Sequence, residues 1–308
     1  MAQANQIPVA AAQATAKGPF QISVNESTFD TERITRVTHS LDEHPLLDLD
    51  EVRKLARRLD QGRVRWHRAD IPVSTNFANA AKEHANGRTL EHTLEHIDEA
   101  GSWVFLQHIE KDAAYGAMVR EVLGRVAPTI ERRDPGMRDL HGWIFVSSPR
   151  AITPYHMDHE ANFLLQVRGR KTINVWNPKD RSVVGEKELE TFHGSWSLDD
   201  TAWRDEFQAK ANVFDATPGT GVFMPFTAPH TVQNGNEVSV TLSLTFITKR
   251  TEREAALFSA NRSLRKLGLS PRPVGSAPLL EEAKFRAFNA WTSARDLARS
   301  RGKSSRGM

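Results

Sequence analysis

The residues with the clearest chemical potential lie in the run Thr153-Pro-Tyr-His156-Met-Asp158. On a strand, residues i and i+2 project from the same face, so His156 and Asp158 can chelate one ion from one side of a sheet. A further ligand has to come from a neighbouring strand, and His230, directly after Met-Pro-Phe-Thr-Ala-Pro, opens the next strand pattern. Two imidazoles and one carboxylate on one face leave three positions of an octahedral ion open, the donor arrangement of non-haem Fe(II) centres. A lone H-x-D pair can equally be a barrel-facing histidine bonded to a structural aspartate, so the surrounding residues have to decide. Lys171 starts the next-but-one strand pattern, and Thr153 and Asn162 flank the pair. A cation deep in a small barrel is costly unless an anion meets it. A dicarboxylate whose keto-acid end chelates the metal would bring its distal carboxylate to Lys171 and the Thr153 hydroxyl. The register favours an inward Lys171, sharing a face with Ile173 and Val175, over an outward residue in a tight Arg-Gly-Arg-Lys turn.

Such a site needs a sheet to hold it, and the pattern from residue 101 onward supplies one. Short runs rich in Val, Ile, Thr and aromatics occupy 103–109, 141–147, 152–158, 162–168, 171–176, 221–225, 230–234 and 238–247. Turn signals such as Asn-Pro-Lys-Asp and Pro-Gly-Thr-Gly separate them. So many short strands in so little chain predict a sandwich or jelly-roll barrel, with Trp143, Phe145, Phe163 and Phe223 as core positions and Tyr155 packed on the opposite face from His156. The segment 177–212 reads as a long loop inserted in that barrel, and its Phe192, His193, Trp196 and Trp203 either touch substrate or pin the loop down.

The flanks are helical. Leu47, Val52, Leu55 and Leu59 recur at helical spacing, Thr89–Ala100 gives a second helix, and a third pattern from Ala114 breaks at Pro128. Beyond Arg250, helices are predicted over 251–267 and 281–298. The chain therefore divides into a disordered arm over 1–20, an N-terminal α/β region over 21–100, a jelly-roll domain over 101–250, and a helical region with a basic tail over 251–308. The fold class is mainly β with helical flanks, an α+β double-stranded β-helix.

Composition narrows the chemistry further. With 308 residues and no cysteine, the chain has no disulfide scaffold, thiolate zinc site, iron–sulfur cluster or cysteine nucleophile, so any metal rests on carboxylates and the 12 His. The 41 Lys+Arg against 38 Asp+Glu leave a net charge of +3, too slight for a chain-wide nucleic-acid footprint. No apolar run reaches membrane-spanning length, and the first residues carry no basic n-region or apolar h-region, which predicts a cytoplasmic protein.

The spaced pattern H-x-D-x3-N-x3-Q-x2-G-x-K, carried by His156, Asp158, Asn162, Gln166, Gly169 and Lys171, resembles that of the JmjC/cupin-like Fe(II)/2-oxoglutarate-dependent oxygenases. The segment Pro218-Gly-Thr-Gly-Val-Phe-Met-Pro225, with His230 five residues on, extends the likeness over 141–248. The resemblance is to the hydroxylase branch and a bacterial cupin-like subgroup. It implies Fe(II) held by His156, Asp158 and His230, 2-oxoglutarate as cosubstrate on Lys171 and Thr153, and Asn162 lining the pocket. It also implies O2 as co-reactant, succinate and CO2 as products, and hydroxylation of a C–H bond in a protein side chain or small molecule. Two positions depart from it. Ala228-Pro229 stands where an aromatic often precedes the distal histidine, and Thr245 takes the cosubstrate-facing place often held by an Asn. Two other readings stand beside this one: a metal cupin doing non-oxidative, isomerase-like chemistry, which would not need Lys171, and a non-catalytic regulatory module.

Rival features are weaker. His92-Thr-Leu-Glu95-His96 fits an inverted zincin motif, but the helix is polar all round and offers no further ligand, which predicts a solvated face. The basic tail from Arg295 lacks interleaved aromatics, so nucleic acid is not expected as a partner. Leu257, Leu264, Phe285, Phe288 and Trp291 on the C-terminal helices can form a helical cap or a dimer surface, and a homodimer contact is the preferred expectation.

Overall fold

The computed structural model describes residues 20–304, with side chains to 295, so the arm expected at 1–20 and most of the basic tail lie outside the described residues. In chain order the strands are β1 (Ile22–Ser23), β2 (Thr35–His39), β3 (Val64–Arg68), β4 (Ser102–Leu106), β5 (Arg138–Ser147), β6 (Ile152–His156), β7 (Ala161–Arg168), β8 (Lys171–Val175), β9 (Asn212–Ala216), β10 (Thr220–Met224), β11 (His230–Asn234) and β12 (Ser239–Ile247). The helices are α1 (Leu49–Arg58), α2 (Ala80–Glu83), α3 (Leu90–Glu95), α4 (Ala113–Glu131), α5 (Glu186–Ser195), α6 (Lys249–Lys266) and α7 (Pro278–Ser304). Two antiparallel sheets result, one ordered β1-β2-β10-β7-β12-β5-β4-β3 and the other β6-β11-β8-β9. This is the jelly roll with helical flanks that the strand pattern predicts. The N-terminal segment contributes directly to it, because β2 pairs with β10 and β3 with β4.

The larger sheet separates two environments by strand parity. Val240, Leu242, Leu244 and Phe246 of β12, with Ile144 and Val146 of β5, are fully buried in one apolar cluster with Val52 and Leu55 of α1 and Val119 and Leu123 of α4. Burying each such side chain contributes about 1.5–3 kcal/mol, so this helix-covered face is the main source of stability. The alternate residues, Thr241, Ser243 and Thr245, with Trp143 and Phe145, line a cavity enclosed with the smaller sheet. Trp143 and Phe145 are therefore cavity wall, not core as their alternation suggested, whereas Phe163 and Phe223 are core. The period of two was legible, but which set of a β-strand meets the helices is a tertiary fact.

Helix α4 runs through Pro128 without breaking. Pro128 and Gly124, the residue whose carbonyl loses its partner, are both exposed, so water can take that carbonyl. Val126, Thr129 and Ile130 meanwhile bury the opposite side and hold the last turn in place. The segment 177–212 is likewise not a plain loop. It contains α5, and Tyr155, Trp176 and Phe207 close around Trp203 with ring centroids 5.5–6.0 Å apart.

Candidate metal centre

Strand pairing brings the three expected ligands together. His230 on β11 is the cross-strand partner of His156 on β6. Their ring centroids are 4.1 Å apart. Asp158, just beyond β6, places Oδ1 3.9 Å from His156 Nε2 and Oδ2 3.9 Å from His230 Nε2. The ligand atoms of the three residues lie within 4.8 Å of one another. Each imidazole is oriented from behind: Nδ1–H of His156 donates to the Pro154 carbonyl at 2.8 Å, and that of His230 to the Ala228 carbonyl at 3.0 Å. Both Nε2 lone pairs are thus free to face the shared point, the tautomer a metal ligand requires. Phe77 stacks on His156 at 3.9 Å and 7°, fixing the ring plane.

The electrostatics suit a cation. Burial, reinforced by the His230 ring, pushes His156 far below the usual imidazole range, so it is neutral at pH 7. Burial pushes Asp158 upward, but His230, His156 and the Asn162 amide together outweigh it and leave the carboxyl below its ordinary value. The result is an anionic oxygen between two imidazoles, a donor set that fits a divalent transition ion.

Thr153 reaches the same cavity by a local irregularity. In a regular strand it would oppose His156. The pairing with β11 jumps from His230↔His156 to Val232↔Thr153, so β6 carries one extra residue there. This bulge, at Pro154 with its missing N–H, returns Thr153 to the side of the triad while Tyr155 packs outward against Trp176. Lys171 also faces inward. Lys171, Ile173 and Val175 are buried while Thr172 and Asn174 are half-exposed. Gly169 makes this register possible: its φ is +73° and an added Cβ would lie 2.5 Å from the Val238 carbonyl oxygen. Lys171 is 6% exposed, and its ammonium makes no hydrogen bond or ion pair to another described residue. Burial alone pushes it down to about 7.

Asn162 does more than line the pocket. Its Nδ2 donates to Asp158 Oδ2 at 3.0 Å, and its Oδ1 accepts from Ser243 Oγ at 2.8 Å, so it ties the carboxylate to β12. Thr245 lines the cavity wall and accepts a hydrogen bond from Trp143 Nε1 at 3.1 Å. The triad, Thr153, Asn162, Lys171 and Thr245 all border one cavity of about 560 Å³. Trp196, 76% exposed, stands at its rim with its ring 4.1 Å from that of His159. Phe77 and the cluster of His108, Glu110 and His141 escaped the sequence reading. Phe77 sits in an irregular polar stretch, and the cluster joins residues far apart in the chain. His92 on α3 and His96 just beyond it are exposed, while Leu90, Thr93 and Leu94 bury the helix's other side; neither histidine belongs to a three-residue metal-ligating cluster among the described residues.

No helix among the described residues is long and apolar enough to cross a membrane. Comparison with curated proteins gave no match. Among solved structures, that of ycfD from E. coli shares 18% identity over 89% of this chain and 68% of its own, with a TM-score of 0.47. YcfD from Escherichia coli, described as a ribosomal oxygenase, in complex with cobalt and 2-oxoglutarate gives 18% identity, the same coverage and a TM-score of 0.45. Its complex with cobalt and succinic acid gives 17% and 0.44. A family model described as a cupin-like domain matches residues 19–250, most of the chain and every strand placed around the cavity, and the protein therefore belongs to the cupin-like domain family.

Proposed function

We propose that this protein is an Fe(II)- and 2-oxoglutarate-dependent oxygenase that hydroxylates a C–H bond. The observation that carries the reading is Lys171, a buried ammonium with no anionic partner among the described residues, in the cavity that holds His156, Asp158 and His230. A lone buried cation is costly, and a bound anion offsets that cost. Iron, once bound, would supply the redox chemistry that couples loss of CO2 from the keto acid to oxidation of substrate.

The chain's own residues do the rest. His156, Asp158 and His230 would hold the ion at the cavity they border. Asn162 keeps Asp158 oriented, and the two backbone carbonyls hold the imidazole tautomers. Lys171 and Thr153 would receive the distal carboxylate, and Thr245 lines the wall of the same cavity. Trp143, Phe145 and Phe77 exclude water from the reacting end. An isomerase-like cupin would have no use for an unpaired Lys171. Calorimetric titration of 2-oxoglutarate under anaerobic conditions, with and without Fe(II), tests the reading. Tight binding that needs the ion supports it, and absence of binding to the iron-loaded protein rejects it.

The primary substrate is proposed to be a protein side chain or small molecule entering past Trp196. A homodimer through the C-terminal helices belongs to the same proposal, supported by Leu279, Leu280 and Trp291, which are half to almost fully exposed on α7. Light scattering of the purified chain checks it. A division near residues 100 and 250, a cytoplasmic location and independence from nucleic acid and membranes are also part of this proposal.

A further inference from the structure

We infer that the protein holds a second metal ion, of the tetrahedral borderline class typified by Zn2+, on His108, Glu110 and His141. The reading stands on geometry separate from the triad. His108 Nδ1 and His141 Nδ1 each lie 3.1 Å from the same oxygen, Oε1 of Glu110. Their rings meet at 88° with centroids 4.8 Å apart, so the two nitrogens converge on one point from different directions. Ligand atoms at tetrahedral bond lengths around zinc sit about 3.3 Å apart, and the two nitrogen–oxygen separations need only a few tenths of an ångström of expansion to match that spacing.

The carboxylate is already oriented for single-oxygen ligation. Glu110 Oε2 accepts from the Gly142 amide at 3.1 Å, leaving Oε1 to the histidines, and no Lys or Arg among the described residues pairs with it. The His108 ring is set by its backbone, which takes a left-handed φ of 54° unusual for a residue with a side chain, and by the Trp143 ring 4.4 Å away. His108 and His141 both border the 560 Å³ cavity, so the fourth position opens onto space where water or a substrate donor group can complete the shell. Without metal the same three groups form a hydrogen-bonded knot between the turn Ile109–Lys111 and β5, and the experiment separates the two roles.

The full-length protein, stripped with chelator, is titrated anaerobically with Co2+ and followed by visible absorption, in which four-coordinate Co2+ absorbs several-fold more strongly than six-coordinate. The wild type is expected to take up two equivalents, one giving the intense four-coordinate bands. His141→Ala and Glu110→Gln are each expected to bind one equivalent and lose those bands. The second variant retains an acceptor for the Gly142 amide and so preserves the fold, which circular dichroism verifies. Asp158→Ala is expected to lose the other equivalent and keep the intense bands, so failure of the triad and failure of this site give different results. Uptake of one equivalent by the wild type, or intense bands that persist in Glu110→Gln, overturns the inference.

Discussion

Replacing Lys171 by Met separates the proposed cosubstrate role from mere packing, because the two predict opposite changes in stability. The ammonium falls from its ordinary 10.5 to about 7 in the folded protein through burial alone. At about 1.4 kcal/mol per pH unit, that gap costs the folded state about 5 kcal/mol below pH 7 and about 4 kcal/mol at pH 7 itself. Methionine has similar length and no charge, so Lys171→Met removes most of this cost and stabilises the ligand-free protein. A gain of a few kcal/mol corresponds to a rise in Tm on the order of 5–10 °C for a chain of this size. The sign of the pH dependence follows directly. Between about pH 7 and 10.5 the unfolded chain binds more protons at Lys171 than the folded one, so wild-type stability rises with pH there and the advantage of the variant shrinks.

Cosubstrate binding moves the other way. The variant leaves the distal carboxylate buried without its charge partner, a loss of about 3–5 kcal/mol, or about two to four orders of magnitude in Kd. Scanning calorimetry from pH 6 to 9 with and without 2-oxoglutarate reads both effects. A variant no more stable than wild type, and binding 2-oxoglutarate equally well, refutes the reasoning.

Other predictions concern single contacts. His156→Ala or Asp158→Ala should abolish Fe(II) binding in anaerobic metal analysis, because two remaining ligands hold a labile ion poorly; a larger effect of His92→Ala would contradict the triad. Asn162→Ala should weaken Fe(II) binding by about 10–100-fold, since Asp158 loses the amide that orients it, and competition with a chelator measures the loss. Trp196→Ala should leave Tm and 2-oxoglutarate binding nearly unchanged while lowering substrate-coupled turnover, whereas Trp203→Ala should lower stability by about 1–3 kcal/mol with coupling intact. A drop in Tm for Trp196→Ala with unchanged turnover would make that ring an anchor.

Much of the site was legible because strand periodicity fixes which side chains share a face. His156, Asp158 and His230 follow from i, i+2 alternation and one neighbouring strand, and the inward Lys171 follows from Ile173 and Val175. Thr153 was placed with them for its chemistry, but an offset of three has the wrong parity; the bulge at Pro154 that corrects it is a pairing irregularity invisible before β11 is aligned. Trp143 and Phe145 were misplaced for a related reason, since alternation does not say which face the helices cover. Strand β3, Val-Arg-Trp-His-Arg at a sheet edge, and β9, Asn-Val-Phe-Asp-Ala, hid behind polar residues. Helix α5 is short and buries only Leu189, Glu190, Phe192 and His193, too few positions to mark a helical stripe. Pro128 was read by its local rule, which core packing of the neighbouring residues overrides.

If the triad and Lys171 together carry oxidation coupled to 2-oxoglutarate, succinate forms during aerobic incubation of the Fe(II)-loaded protein with 2-oxoglutarate, and NMR measures it with and without cell extract. The wild type is expected to give succinate, more of it when extract supplies the substrate, and Asp158→Ala and Lys171→Met none beyond the enzyme-free background. No succinate from the wild type under either condition, or equal yields from the two variants and the wild type, would contradict that coupling.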